Sequence, residues 1–324
     1  MSRTSAQKRI HYVRAVYAQG LAPGNTLETS VRAALAHLTN VGDTEVNQQS
    51  LGTLAIRERG TVTPEFVTLG IGLGVPNEAM GTLGLGLAAA QDVNMPQSPS
   101  QGRAFKLADA FCLIDDDDLL VCLDGRMRIA AVEFYLRSLL DLAGAPPDSQ
   151  SFQLIGRRDQ GKQKTLDTEG VKEMRVVSSA YAVAQPLDPA AGWLRKGWQA
   201  FIQSLCDGLA EEAKTDAERE DLAKHWADLN ISAVIKVNGG SRGEPIVVQT
   251  LEDAAIEAQQ DAPDGARITL VTKKGNEVEA DTLTLKTQKS IKRLQQQNDL
   301  DYADAWNKLG EYRQELIDTD RWKL

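Results

Sequence analysis

Two groups of basic residues carry the clearest chemical signal in the chain. Arg157, Arg158, Lys162 and Lys164 fall in a stretch rich in Gln and Gly. It reads as a loop whose side chains reach separate phosphates while its backbone N–H groups add further donors. Lys286, Lys289, Lys292 and Arg293, in KTQKSIKR, recur at i, i+3, i+6 and i+7 with no acid among them, which predicts one cationic face at the start of a helix. Both sets suit backbone phosphates. Neither has the Arg, Asn and Gln layout that reads base edges, so the contact expected is with the nucleic-acid backbone and without sequence preference. A short arm, Arg3, Lys8 and Arg9, adds a little to the same chemistry.

The residues that could catalyse a reaction form no recognisable set. Asp115 to Asp118 offer the hard oxygens that a divalent cation takes. Consecutive residues of a tight turn aim their carboxylates apart, however, so the expectation is a solvated acidic turn and no metal site. His11, His37 and His225 are scattered, and Ser178 and Ser179 lie in no GxSxG elbow. The Gly-rich stretch 70–91 contains no lysine and so lacks the residue a phosphate-cradling loop needs; it reads as a flexible or closely packed apolar loop. Cys112, Cys122 and Cys206 form no CxxC pair and read as reduced thiols. No catalytic residue, metal or cofactor is expected.

These residues need elements to hold them. RIHYVRAVY (9–17) alternates as a half-buried strand does, and Leu27, Val31, Leu35 and Leu38 recur at helical spacing behind a Thr26 cap. Residues 51–72 read as a hairpin turned at Arg59-Gly60, and 111–123 as a second hairpin with the four aspartates at its tip. Ile129, Val132, Leu136, Leu139 and Leu140 mark a helix that Gly144 and Pro146-Pro147 end. Short strands are expected around Leu154 and at 174–177, and helices over 189–229 with Trp193, Trp198 and Phe201 on an apolar stripe. ISAVIKVNGG and PIVVQT read as strands, LEDAAIEAQQ as a helix, and ARITLVTKKGNEVEADTLTL as a hairpin turned at Lys274-Gly275-Asn276; two helices are expected from Thr287 to Asp318.

The chain has 324 residues with 36 Lys+Arg against 45 Asp+Glu, a net charge of −9 that excludes a uniformly basic nucleic-acid binder and leaves room only for local basic patches. No apolar run is long enough to span a bilayer and no signal-peptide core follows the basic start, so a cytoplasmic location is expected. The fold expected is α+β: a mixed or antiparallel sheet domain over 1–185, then a helix-rich and β-hairpin domain over 186–324.

The order of elements adds a resemblance. The opening strand with RAVY, the AFCLIDDDDLLVCLDG hairpin with its following helix, the QLIGRR and TLDTEGVKEMRV segments and the final ARITLVTKKGNEVEADTLTLKTQKSIKR together resemble the RexA family of phage-exclusion proteins and, more distantly, the KwaB family of the Kiwa anti-phage system. The resemblance implies a homodimeric, non-enzymatic DNA-binding protein that acts with a small membrane partner in anti-phage defence. Two other classes stay open: a nuclease or toxin whose acids and lysine converge from distant parts of the chain, and a protein-interaction adaptor whose basic faces serve only solvation.

Overall fold

The computed structural model describes residues 4–17, 25–48, 51–60, 63–76, 78–82, 95–125, 127–179, 230–236, 255, 267–295 and 298–323. The fold is α+β with antiparallel sheets. Its contacts divide the chain into two units, Met1–Arg157 with Lys286–Leu324, and Arg158–Leu285 between them. The boundary expected at 185/186 lies outside the described residues. The observed division differs from it because the chain leaves the first unit at Arg157 and returns at Lys286 to complete the same sheet.

The strands of the first unit are β1 (Ser5–Tyr17), β2 (Val46–Gln48), β3 (Gly52–Arg59), β4 (Val67–Pro76), β5 (Met80–Thr82), β6 (Met95–Gln97), β7 (Ala104–Asp115), β8 (Asp118–Gly125) and β9 (Phe152–Gly156). The second unit holds β10 (Val171–Ser179), β11 (Asn230–Lys236), β12 (Arg267–Thr272) and β13 (Glu277–Glu279), and the returning strand is β14 (Lys286–Lys292). The large sheet runs β14-β1-β8-β7-β4-β3-β2, with β9 beside the second half of β1.

Side chains alternate across a pleated sheet, so register assigns each residue to a face. Val13, Ala110, Cys112, Ile114, Leu119 and Val121 share one face, on which α1 (Leu27–His37) and α2 (Ile129–Leu142) pack with Val31, Ala34, Val132, Leu136 and Leu139. Thr26 caps α1: its hydroxyl accepts from Thr29 N while its own N–H donates to Thr29 Oγ1. After α2 comes the short helix α3 (Pro147–Gln150).

Ile10, Tyr12, Phe111, Leu113, Leu120 and Cys122 point the other way. There the sheet meets α5 (Tyr302–Asp318), whose Tyr302, Ala305, Leu309, Tyr312 and Leu316 are buried at the three- and four-residue spacing of one helical stripe. The glycines of β4 make this approach possible. A Cβ on Gly70 would stand 2.1 Å from the Tyr302 ring, and one on Gly72 2.3 Å from Arg57 Cδ. Gly70 and Gly72 lie in the strand expected up to residue 72, and the structure continues that strand through Gly74 to Pro76, into the stretch expected as a loop. Beyond the end of β4 at Pro76, that stretch is described only at 78–82, where β5 lies.

In the second unit α4 (Gln160–Glu169) and Ala255 supply Leu166 and an apolar methyl to a core with Met174, Val176, Ile268 and Leu270. The hairpin at Lys274-Gly275-Asn276 is present between β12 and β13, with Gly275 at φ 94°. Glu169 closes that turn, accepting from Thr272 Oγ1 at 2.7 Å and Asn276 Nδ2 at 2.8 Å, which holds its carboxyl below the usual range. The helices expected over 189–229 and the strand PIVVQT lie outside the described residues, as does all of LEDAAIEAQQ except Ala255.

Candidate nucleic-acid interface

The first half of β1 pairs with β14 over Ser5–His11 and Lys286–Lys292. The segment expected as a helix start is thus an edge strand, and one helix follows it in place of two. Pairing with β1 overrides the weak strand propensity of its Lys, Gln and Ser residues. A period of two splits the expected cationic face. Lys289 turns toward α5 and pairs with Glu315 at 2.5 Å, and the Arg293 guanidinium donates to Asn298.

Lys286 and Lys292 stand on the opposite face. There the strand pair presents Ser5, Gln7, Arg9 and His11 against Lys286, Gln288, Ser290 and Lys292, eight positions with cations, amides and hydroxyls and no carboxylate. Ser5, Gln7, Arg9, Gln288, Ser290 and Lys292 are exposed, and His11 and Lys286 half-buried. The Lys292 side chain is 76% exposed, with Asp304 at 3.9 Å from its ammonium. Alternate residues on one strand face are about 6.8 Å apart, so these side chains can meet phosphates separately and without crowding. Arg9 belongs to the basic arm expected from the sequence, whereas His11 is not grouped with it; the alternation of Gln7, Arg9 and His11 along the first strand carries that signal.

The other basic group is not a loop. Arg157 follows β9, its guanidinium 3.8 Å from Asp118 and over the Tyr12 ring. Arg158 donates to Gln163 Oε1 at 2.9 Å, and Lys162 to the Thr282 carbonyl at 3.0 Å. Lys162 and Lys164 sit in α4, whose first turn Asp159 caps by accepting from Gly161 N and Lys162 N. The cap fills the place where a helix N-terminus would take a phosphate. Arg158 and Lys164 line a shallow cavity of about 520 Å³ together with Gln160, Gly161, Gln163 and Asp167. Of the four, Arg157 belongs to the first unit and Arg158, Lys162 and Lys164 to the second.

The four aspartates depart furthest from expectation. Asp115 and Asp118 are 3% and 1% exposed, not solvated, because residues far along the chain converge on them. Asp115 accepts from Arg313 Nε at 2.7 Å and Trp322 Nε1 at 3.2 Å, and the Lys323 ammonium lies 2.6 Å away. Asp118 accepts from the Tyr12 hydroxyl at 2.9 Å. Burial raises the Asp118 carboxyl above its usual range, and burial likewise raises the Tyr12 phenol. Asp117 accepts from Leu27 N, and Asp116 exchanges two hydrogen bonds with Glu28, so the tip of the hairpin also caps α1.

Glu28, Asp115 and Asp116 bring ligand atoms within 4.8 Å of one another, the spacing of a cation site. Their charge is already met within the chain, by Lys323 between the two aspartates and by Arg32 on Glu28. A second convergence lies at the other end of α5. Asp109, fully buried, takes Lys106 at 2.5 Å, Arg57 at 3.2 Å and the Tyr302 hydroxyl at 3.3 Å, and Lys106 also reaches Asp299 at 2.6 Å. Two acids and two bases balance there, and the lysine occupies the space between the carboxylates. Both clusters are arranged to fix α5 to the sheet.

Cys112 and Cys122 are buried free thiols; burial raises both, that of Cys122 to about 12, so neither is poised as a nucleophile. Among the described residues no helix is long and apolar enough to cross a membrane. No family model, curated protein or solved structure matches the chain.

Proposed function

We propose that this protein binds double-stranded DNA through backbone phosphates, without sequence preference, on the open end of the β1–β14 face. The observation that supports this reading is the set of eight adjacent positions carrying Arg9, His11, Lys286 and Lys292 among amides and hydroxyls, with no carboxylate. In a protein of net charge −9, basic side chains at four of these eight described positions and a carboxylate at none make the local footprint of a polyanion site. No aromatic side chain stands at those positions to stack unpaired bases, which favours a duplex over a single strand. No catalytic step and no cofactor are assigned.

The wider role we propose, a cytoplasmic anti-phage defence protein acting as a homodimer with a small membrane partner, comes from the family resemblance. Three or four phosphate contacts give modest affinity, and two copies on one duplex would raise it. The test is a salt titration of a fluorescent duplex with the wild type and with the double variant Arg9→Glu/Lys292→Glu. The wild type should lose affinity with a log–log slope of about −3, following about −0.9 per phosphate. The variant should bind at least about tenfold more weakly while melting at the same temperature, since exposed lysines and arginines add little to stability. A variant that keeps full affinity would overturn this placement of the interface, and a wild type that binds no duplex at low salt would overturn DNA binding itself.

A further inference from the structure

We propose that Tyr12, Asp115, Asp116 and Arg313 form a recognition seat for a tryptophan-lysine segment of a partner protein, held shut by this chain's own Trp322 and Lys323. The seat lies where β1, the tip of the β7–β8 hairpin and the last turns of α5 meet. Trp322 stacks on Tyr12 with ring centres 4.7 Å apart and planes 18° from parallel, and the Arg313 guanidinium stands 5.6 Å from the Trp322 ring centre. The indole Nε1 donates to Asp115 at 3.2 Å, and the Lys323 N–H donates to the Tyr12 hydroxyl at 2.9 Å. The Lys323 ammonium bridges Asp115 at 2.6 Å and Asp116 at 2.5 Å. A flat ring with one donor and an ammonium one residue further on are thus each met by a matched group.

The seat is also held by contacts that do not involve this strap. Tyr12 donates to Asp118, Arg313 donates to Asp115, and Asp116 exchanges two hydrogen bonds with Glu28. What leaves with Lys323 is a charge, since among the described residues it is the only cation paired with Asp116. An open seat is therefore a fixed carboxylate beside an aromatic face, ready for a new cation. The occupant is held less firmly. Thr319, Asp320, Arg321 and Lys323 are exposed and Trp322 half-buried, and Asp320 and Lys323 hold left-handed backbone at φ 52° and 60°. A segment with one partly buried apolar side chain and strained backbone belongs to the low-stability end of a fold, so it opens while α5 stays in place. Its short tether gives it an effective concentration of about millimolar, which shuts out weaker ligands.

The experiment titrates a fluorescent peptide, Thr-Asp-Arg-Trp-Lys, into the full chain. The variant Trp322→Ala/Lys323→Ala, freed of its own occupant, should bind the peptide at least about tenfold more tightly than the wild type. Lys323→Gln alone, which leaves the stacked indole in place, should show a smaller gain. Adding Asp116→Asn to the double variant, or putting glutamine in place of the peptide's lysine, should return binding to the wild-type level or below. In the wild type itself, amide exchange at 321–323 should run ahead of that over 302–318. Equal affinity of double variant and wild type, binding that is indifferent to Asp116, or exchange of the strap that only keeps pace with α5 would each overturn the proposal. A wild-type dimer that the double variant dissociates would overturn the partner protein as occupant in favour of a second copy of this chain.

Discussion

The two faces of the large sheet are built on opposite principles. Toward α1 and α2 the strands present Val13, Leu69, Ile71, Ala110, Cys112, Ile114, Leu119 and Val121, all apolar and buried. Toward α5 the same strands interrupt their apolar residues with Asp109, Asp115 and Asp118, each buried and each met by cations or hydroxyls from elsewhere in the chain. Apolar burial is non-directional, and two helices packed side by side can share it. A single helix with one apolar stripe can slide or rotate on a flat sheet. Directional charge contacts near Tyr302 and near Arg313 fix both its ends. Buried ion pairs often add little net stability against an apolar alternative, so their value here is in register.

Substitutions can break that contrast. The largest loss is expected from Leu139→Ala on the apolar face, where a fully buried side chain leaves a cavity: about 3–4 kcal/mol, read by chemical denaturation with an unchanged m-value. Asp109→Ala should cost about 3 kcal/mol, the low end for breaking a buried pair, because Arg57 and Lys106 are partly exposed and can turn to water. It should also loosen α5, seen as faster amide exchange over 302–318, which Leu139→Ala should not do. A loss without that local signature would remove the positional role of the charges. Gly70→Ala follows at about 2 kcal/mol, since the new methyl meets the Tyr302 ring and one of the two must move.

The smallest effect is a pH dependence. Asp118 is raised in the fold, so the native state takes up its proton before the unfolded chain does. That group's contribution to stability therefore increases as pH falls through the window between its folded value and the ordinary aspartate value of 3.8. Glu169, lowered in the fold, acts in the opposite sense and loses its contribution below 4.5. Thermal melts of wild type and Asp118→Asn should converge or cross in favour of the wild type on acidification toward about pH 4. Melts that stay parallel would refute the assignment.

Elements held by local signals were legible in the sequence: the Thr26 cap of α1, the apolar period and Gly-Pro stop of α2, and the turn at Lys274-Gly275-Asn276. Those fixed by distant partners were not. Lysines at 286, 289 and 292 fit a helical face by spacing, and only their pairing with β1, nearly the whole chain away, makes them a strand. The aspartate tip looked solvated because Arg313 and Lys323, about 200 residues downstream, are not visible as its partners from sequence. Two errors had local remedies. Gly74 continues the alternation of Gly70 and Gly72 with apolar residues at the period of a strand, and Asp159 before Gln-Gly-Lys is a helix-capping signal.

The return of the chain at Lys286 has a consequence for how the molecule is made. When the ribosome has finished Arg157, β1 has no β14 beside it, and Ile10, Phe111 and Leu120 have no α5 above them. A further stretch, Arg158–Leu285, must be synthesised before either arrives. At about 5–20 residues per second, that leaves an apolar sheet face and an open strand edge uncovered for several seconds or more. The nascent first unit is thus a natural client for a holding chaperone, and its completion waits on β14 and α5.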